Sequence, residues 1–189
     1  MIISISGIPG TGKTKVAKIL AKKLNINLIS IKNLIKKEKI PYKYDKKRKT
    51  KVVDPKDIQK AINKNLIKGS NIIEGHLSHL IKSNFIFILR CNPVKLRRRL
   101  SKRGWTKKKI DENIQAEILD EITIEALQRR SKKVKIFEID TSNKKPQAVA
   151  KTIAQILKYS SLGRDNRVAK YLPGKIDWTE KYKDFLVGK

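Results

Sequence analysis

The residues best able to do chemistry stand together near the start of the chain. Gly7-Ile8-Pro9-Gly10-Thr11-Gly12-Lys13-Thr14 fits the pattern G-x-x-x-x-G-K-[ST] in full and directly follows the apolar run Ile2-Ile3-Ser4-Ile5-Ser6. Glycines let a backbone curl tightly around a polyphosphate, so that successive N–H groups and the positive end of the next helix point at the anion. Lys13 adds a point charge for the terminal phosphates, and Thr14 offers a hydroxyl oxygen to Mg²⁺. A nucleoside triphosphate is the expected ligand.

A phosphate loop of this kind needs a carboxylate at the end of a neighbouring strand to hold the metal's water shell. Glu74, after Asn71-Ile72-Ile73, is the candidate. His76, two residues on, leans to the same side by strand alternation and suits the orientation of a water or a phosphate acceptor; a hydrogen-bonded histidine at a strand end is the plainer alternative. His76, His79 and Cys91 match no recognised metal-ligand spacing. Arg90, Arg97, Arg98, Arg99 and Arg103 crowd one segment, where guanidinium groups either clamp phosphates or remain solvated. Arg103 stands out because Gly104 follows it, as at the hinge of a lid. The densest charge cluster, Lys46-Lys47-Arg48-Lys49-Thr50-Lys51, reads equally as a solvated loop and as an RNA contact.

The elements that must position these groups alternate along the chain. Strand-like runs at Ile2–Ser6, Ile26–Ile31, Asn71–Gly75, Phe85–Arg90 and Val134–Asp140 are separated by segments of helical spacing. That is the pattern of an α/β fold with a mostly parallel sheet, here a three-layer P-loop fold of five strands in the order 2-3-1-4-5. Lys15–Leu24 places Val16, Ile19, Leu20 and Leu24 on one helical face. Pro55–Lys68 begins with Asp54 as N-cap and stops at Gly69. Helices are expected over Pro93–Arg103, over a long stretch from Lys107 to about Arg129 with isoleucines at four-residue steps, and over Gln147–Leu157. Residues 1–158 thus form one domain. Residues 159–189 read as a basic tail with a short aromatic helix at Trp178, Tyr182 and Phe185, which either packs on the domain or meets a partner.

The 189 residues suffice for one well-cored domain, and 46 basic against 17 acidic side chains give a net charge of +29. That charge exceeds what one nucleotide requires and points to a polyanion such as RNA, unless it reflects a lysine-rich genome or adaptation to heat. No run has the length of a membrane span and no signal-peptide pattern is present. The single cysteine, Cys91, excludes an internal disulfide framework and fits a reducing cytosol, so a cytoplasmic location is expected.

With these pieces in place the chain resembles the atypical adenylate kinases that double as ribosome-assembly ATPases, the family of the coilin-interacting nuclear ATPase protein and its archaeal relatives. The resemblance covers about residues 1–158. It rests on the phosphate loop, Val52-Val53-Asp54, Ile72-Ile73-Glu74-Gly75-His76, Leu89-Arg90-Cys91-Asn92-Pro93, and above all Arg99-Leu100-Ser101-Lys102-Arg103-Gly104-Trp105 followed by Lys109, Asn113, Glu117, Glu125 and Ala126. It implies that Gly10, Gly12, Lys13, Thr14 and Lys15 hold the ATP phosphates, that Thr14 and Glu74 serve Mg²⁺, and that Arg103 reaches ATP from a lid at about 102–112. It also implies a monophosphate-binding region at about 30–53. Glu74 and His76 match a family Asp-x-His pair associated with ATP hydrolysis, with a side chain one methylene longer here. AMP is the implied phosphoryl acceptor. A ribosomal protein of the small-subunit platform and rRNA or a pre-ribosomal particle are the implied partners. A small-metabolite kinase, such as one acting on shikimate, and a nucleotide-gated RNA or ribosomal-protein binding module are the alternatives.

Overall fold

A computed structural model describes residues 1–46, 50–131 and 133–186; Lys47, Arg48 and Lys49 of the basic run lie outside the described residues. The chain runs β1 (Ile2–Ser6), α1 (Lys13–Leu24), β2 (Asn27–Ser30), α2 (Ile31–Lys37), β3 (Lys43–Asp45), β4 (Thr50–Val52), α3 (Pro55–Asn65), β5 (Asn71–Glu74) and β6 (Phe85–Arg90), then α4 (Pro93–Ser101), α5 (Lys107–Ile118), α6 (Glu121–Arg129), β7 (Lys135–Asp140) and α7 (Pro146–Ser161). Three short 3₁₀ segments, at Ser78–Leu80, Asp165–Tyr171 and Glu180–Phe185, complete it.

Five parallel strands form the sheet in the order β2-β5-β1-β6-β7. Leaving aside the separate antiparallel pair of β3 and β4, this is the order 2-3-1-4-5. The strands are apolar on both faces because helices cover both. Along β6 the side chains alternate: Phe87 and Leu89 join a core with α1 and α7, whereas Ile86 and Ile88 join one with α4, α5 and α6. A third core packs α2 and α3 through Leu34, Ile58 and Ile62 against Ile73 of β5. Each fully buried side chain of this size stabilises by about 1.5–3 kcal/mol relative to exposure. Because β1 lies at the centre of the sheet, the loop that follows it opens where the strand order reverses, the usual ligand position in such sheets.

Asp54 caps α3 as its sequence suggests, accepting from the Lys56 N–H at 2.8 Å. The long helix expected from Lys107 to Arg129 is instead two, broken where Asp120 turns left-handed at φ 55°. The cause is Arg90, fully buried at the end of β6. Its guanidinium donates to the Glu117 carbonyl at 2.9 Å, an oxygen that a continuous helix would offer to residue 121. It also donates to the Glu117 carboxylate at 2.8 Å and pairs with Glu138 and Asp120. A second departure is the hairpin of β3 and β4, where the sequence reads only as a connecting loop.

Beyond α7 the chain turns back along the molecule. Val168 is buried in the α1–α7 core, and Trp178, Tyr182 and Phe185 pack partly buried against the α4–α6 core. The Gly174 N–H donates to Glu138 at 2.9 Å, and Gln115 of α5 donates to the Phe185 carbonyl at 3.5 Å. Of the two roles open to these aromatics, the structure has the packed one.

Candidate nucleotide site

The phosphate loop joins β1 to α1. Gly12 occupies the N-cap position of α1 at φ 99°, ψ 9°, a conformation that costs a residue with a Cβ dearly, and it brings no side chain to cap the helix. The first-turn N–H groups of α1 therefore face the loop's concavity, where the helix dipole favours an anion. Gly10 is held from below: a Cβ there would meet Leu96 of α4 at 2.7 Å and Leu100 at 3.1 Å. Arg99 reaches the Gly10 carbonyl at 3.3 Å and the Thr141 and Ser142 carbonyls at 3.2 and 3.3 Å.

Lys13 is buried and donates to the Gly7 carbonyl at 2.8 Å and the Ile8 carbonyl at 3.1 Å, closing over the loop's own backbone. Its pKa is lowered to about 8, chiefly by burial, with Glu74 opposing the shift and the positive charge of Arg103 adding to it. Glu74, buried at the end of β5, accepts from Ser30 at 2.7 Å and from Thr14 at 3.2 Å. A hydroxyl and a carboxylate thus converge beside the phosphate loop, both hard oxygen donors suited to Mg²⁺. The longer Glu spans the distance to two partners at once.

His76 sits at the rim, its Nδ1 3.4 Å from the Gly7 carbonyl. Crowding by protein atoms lowers its pKa, and the charge of Lys13 adds to that, so the ring is neutral at pH 7. Sequence reasoning left His79 without a role. Its Nε2 meets the Glu125 carboxylate at 2.7 Å, and a carboxylate only accepts, so Nε2 carries a proton; Nδ1 lies 3.0 Å from the Ser6 hydroxyl and 3.1 Å from the His76 carbonyl. Ser6 donates to the His76 carbonyl at 3.0 Å, so this buried group steadies the turn that carries His76. The spacing of three residues between His76 and His79 was its only trace in the sequence.

The structure divides the arginine run. Arg90 holds the α5–α6 break and Arg97 pairs with Asp111 at 2.7 Å. Arg103 lies exposed with its guanidinium 5.9 Å from the centre of the Trp105 ring, hydrogen-bonded to nothing in the loop yet close enough to act on Lys13. Lys15 is exposed on α1. Among the described residues no group of three or more His, Cys, Asp or Glu side chains could hold a metal ion by itself, and Cys91 is buried in the α4–α6 core.

From Thr14 and Glu74 a groove of about 560 Å³ runs along β2 to the end of α3. Lys18, Lys32 and Lys37 line it, with Ser30, Asn33 and Asn65 between them. Its charge suits an anionic acceptor lying next to the triphosphate position.

The parallel sheet, the phosphate loop and the Thr14–Glu74 contact define a P-loop kinase fold. Residues 3–120 match the family described as "AAA domain". A protein of Methanocaldococcus jannaschii named "Putative adenylate kinase" is 39% identical over 187 residues, covering 98% of this chain and 97% of that protein. One of the same name from Thermococcus kodakarensis is 32% identical with the same coverage. The chain belongs to this adenylate-kinase-like family. The likeness extends over 98% of the chain, past residue 158, where the sequence resemblance was expected to stop. Shikimate kinase from Acinetobacter baumannii, solved with shikimate, superposes with a TM-score of 0.61 at 16% identity over 85% of this chain and 94% of that one, a likeness of fold. Membership makes the protein a nucleotide or small-metabolite kinase and implies ATP together with the Mg²⁺ that P-loop kinases usually employ. Among the described residues no helix is long and apolar enough to cross a membrane.

Proposed function

We propose that this chain is an adenylate kinase, transferring the γ-phosphoryl group of ATP to AMP, with a side branch of ATP hydrolysis, and that it acts in small ribosomal subunit assembly. The observation that carries the kinase reading is the placement of the Thr14–Glu74 pair between Lys13 and the lysine-lined groove. Donor and acceptor positions then flank the point where charge develops.

Gly10, Gly12 and Lys15 contribute backbone N–H groups and charge to the ATP phosphates, and Lys13 exchanges its two carbonyl partners for phosphate oxygens. Thr14 and Glu74 would hold Mg²⁺, which neutralises charge on the phosphates when bound. Arg103 approaches from the segment 102–112, and closure there excludes water. Lys18, Lys32 and Lys37 hold the AMP phosphate in line. Neutral His76, on the rim, positions a water when the acceptor groove is empty. The assembly role is supported by the family resemblance and by the charge of +29, which suits an rRNA-containing particle and a small-subunit platform protein as partners.

The deciding measurement follows ATP consumption with Mg²⁺ present, with and without AMP, and separates ADP from free phosphate. A kinase yields two ADP per ATP only when AMP is supplied, with slow phosphate release otherwise. Turnover indifferent to AMP but stimulated by shikimate or another anionic metabolite would replace AMP as the acceptor.

A further inference from the structure

We infer that the outer face formed by α1 and α7 is a docking surface for the phosphate backbone of double-stranded RNA. This rests on the reading of an RNA-containing partner and gives that partner a place on the molecule.

The surplus of positive charge is not spread evenly over the fold. α1 and α7 lie against one another on one side of the sheet and share a core with Phe87 and Leu89. Residues 13–24 and 141–164, which form these helices and the ends of α7, contain ten basic side chains and no acidic one. All of the ten but Lys13 are exposed. On the other side, residues 107–129 of α5 and α6 carry six acidic side chains against four basic. Residues 177–186, packed on that same layer through Trp178, Tyr182 and Phe185, carry three against two. Nine of the 17 acidic side chains thus sit across the sheet from a layer that has none. A lysine-rich genome or adaptation to heat would add lysines throughout; neither clears carboxylates from one face and gathers them on the other.

The cations are also regularly placed. Lys151 and Lys158 are two helical turns apart, so they stand on one side of α7 at a spacing of about 10.5 Å, opposite the buried Val149, Ile153 and Ile156. Lys15 and Lys22 repeat that spacing on α1, opposite Ala17 and Leu20. The aromatic rings on this side are already engaged: Tyr159 and Tyr171 pack partly buried on the core, and Arg167 and Lys170 lie 5.4 and 5.3 Å from their ring centres. Proteins that hold single strands join a basic groove to aromatic rings on which unpaired bases stack. A face of evenly spaced cations, with its rings occupied, instead suits phosphates whose bases are turned inward, as in an RNA duplex.

The test uses the full chain and a fluorescently labelled RNA duplex of about sixteen base pairs, read by anisotropy across a salt series, with the matching single strand and phosphatidylserine vesicles as competitors. The intact protein should prefer the duplex to both. Lys22→Gln, Lys23→Gln, Lys151→Gln and Lys158→Gln combined should flatten the salt dependence by about 0.9 in slope for each phosphate contact removed, up to about 3.6. Lys15 and Lys18 stay in place because they belong to the proposed nucleotide and acceptor sites. A charge-matched control on the α5–α6 side, Arg129→Gln, Arg130→Gln, Lys181→Gln and Lys183→Gln combined, should leave the slope nearly unchanged. Circular dichroism and thermal unfolding check the fold of both, and Lys151→Gln with Lys158→Gln alone should give about half of the flattening. Equal flattening by the two fourfold variants, competition by the single strand as effective as that by the duplex, or preference for the vesicles over RNA overturns the α1–α7 site while leaving the RNA partner standing. No salt-dependent binding of either form of RNA by the intact protein overturns both.

Discussion

Lys13 makes ATP binding a proton-linked event. In the free protein its pKa of about 8 lies well below the ordinary lysine value of 10.5, because burial strips water from the ammonium group and the carbonyls of Gly7 and Ile8 only partly replace it. Triphosphate oxygens beside the same nitrogen would return its pKa to the ordinary value or higher. From about 8 in the free state, roughly half of the molecules lack the Lys13 proton at pH 8 and about 90% lack it at pH 9. Binding should therefore take up about 0.1 proton at pH 7, 0.5 at pH 8 and 0.9 at pH 9. Affinity should fall by up to about tenfold per unit above pH 8, and the whole shift of about 2.5 units corresponds to roughly 3 kcal/mol of coupling. The sign is opposite for folding: the unfolded chain holds more protons between about pH 8 and 10.5, so Lys13 makes the empty protein more stable as pH rises across that window. Calorimetric titration with Mg-ATP at pH 9 in two buffers of different ionisation heat reads the uptake directly, since the phosphates' own second ionisation, near 6, is complete. Uptake below about 0.2 proton at pH 9, or uptake that persists in Lys13→Ala, would refute the assignment.

Lys13→Ala should retain its fold and lose phosphoryl transfer by about 10²–10³-fold or more, judged by ADP formation from ATP and AMP; near-parental turnover would remove the phosphate loop from the reaction. His76→Ala should reduce phosphate release without AMP more than ADP formation with AMP, because AMP supplies its own attacking oxygen; equal losses would make His76 a structural group. Arg90→Met should destabilise by about 4 kcal/mol at pH 7, since Glu117 and Glu138 would remain buried without their cation. With a slope near 2 kcal/mol/M, that moves the urea midpoint down by about 2 M. Burial raises the pKa of the Glu117 carboxyl, so the deficit should shrink as pH falls toward 5 and it takes up a proton; a loss under about 1 kcal/mol at pH 7 would contradict the buried cluster.

The features legible in the sequence were those with local causes. Apolar runs with strand character placed all five parallel strands, and Asp54-Pro55 marked the start of α3 because capping uses neighbours in the chain. The loop glycines and Lys13-Thr14 were legible for the same reason. What escaped depends on residues distant in sequence. Isoleucines at four-residue steps run unbroken from Ile110 to Ile122, and nothing local tells that Arg90, from another strand, will take the Glu117 carbonyl and break the helix at Asp120. Arg90 read as one more arginine in a basic run because its partners Glu117 and Glu138 lie 27 and 48 residues away. The β3–β4 hairpin hid in a lysine-rich stretch of low strand propensity, held by Ile40 and Val53 at its ends rather than by its own residues. His79 escaped because Ser6 and Glu125 are brought to it by the sheet and by α6.

The seating of Gly10 on Leu96 and Leu100 fixes the compass of any movement over the phosphates. With Arg99 also fastened to the Gly10 carbonyl, α4 is mechanically part of the cradle and cannot swing without opening it. At the other end, the last turn of α5 is gripped by Phe185 through Gln115 and by Thr179 through the Ile118 carbonyl. The arc between these two clamps is the candidate lid, with Gly104, at φ 67°, inside it as the proposed pivot and the Arg97–Asp111 pair tying α5 back to α4. Substitutions outside that arc should alter how tightly the nucleotide is held, whereas those within it should alter how fast the product leaves.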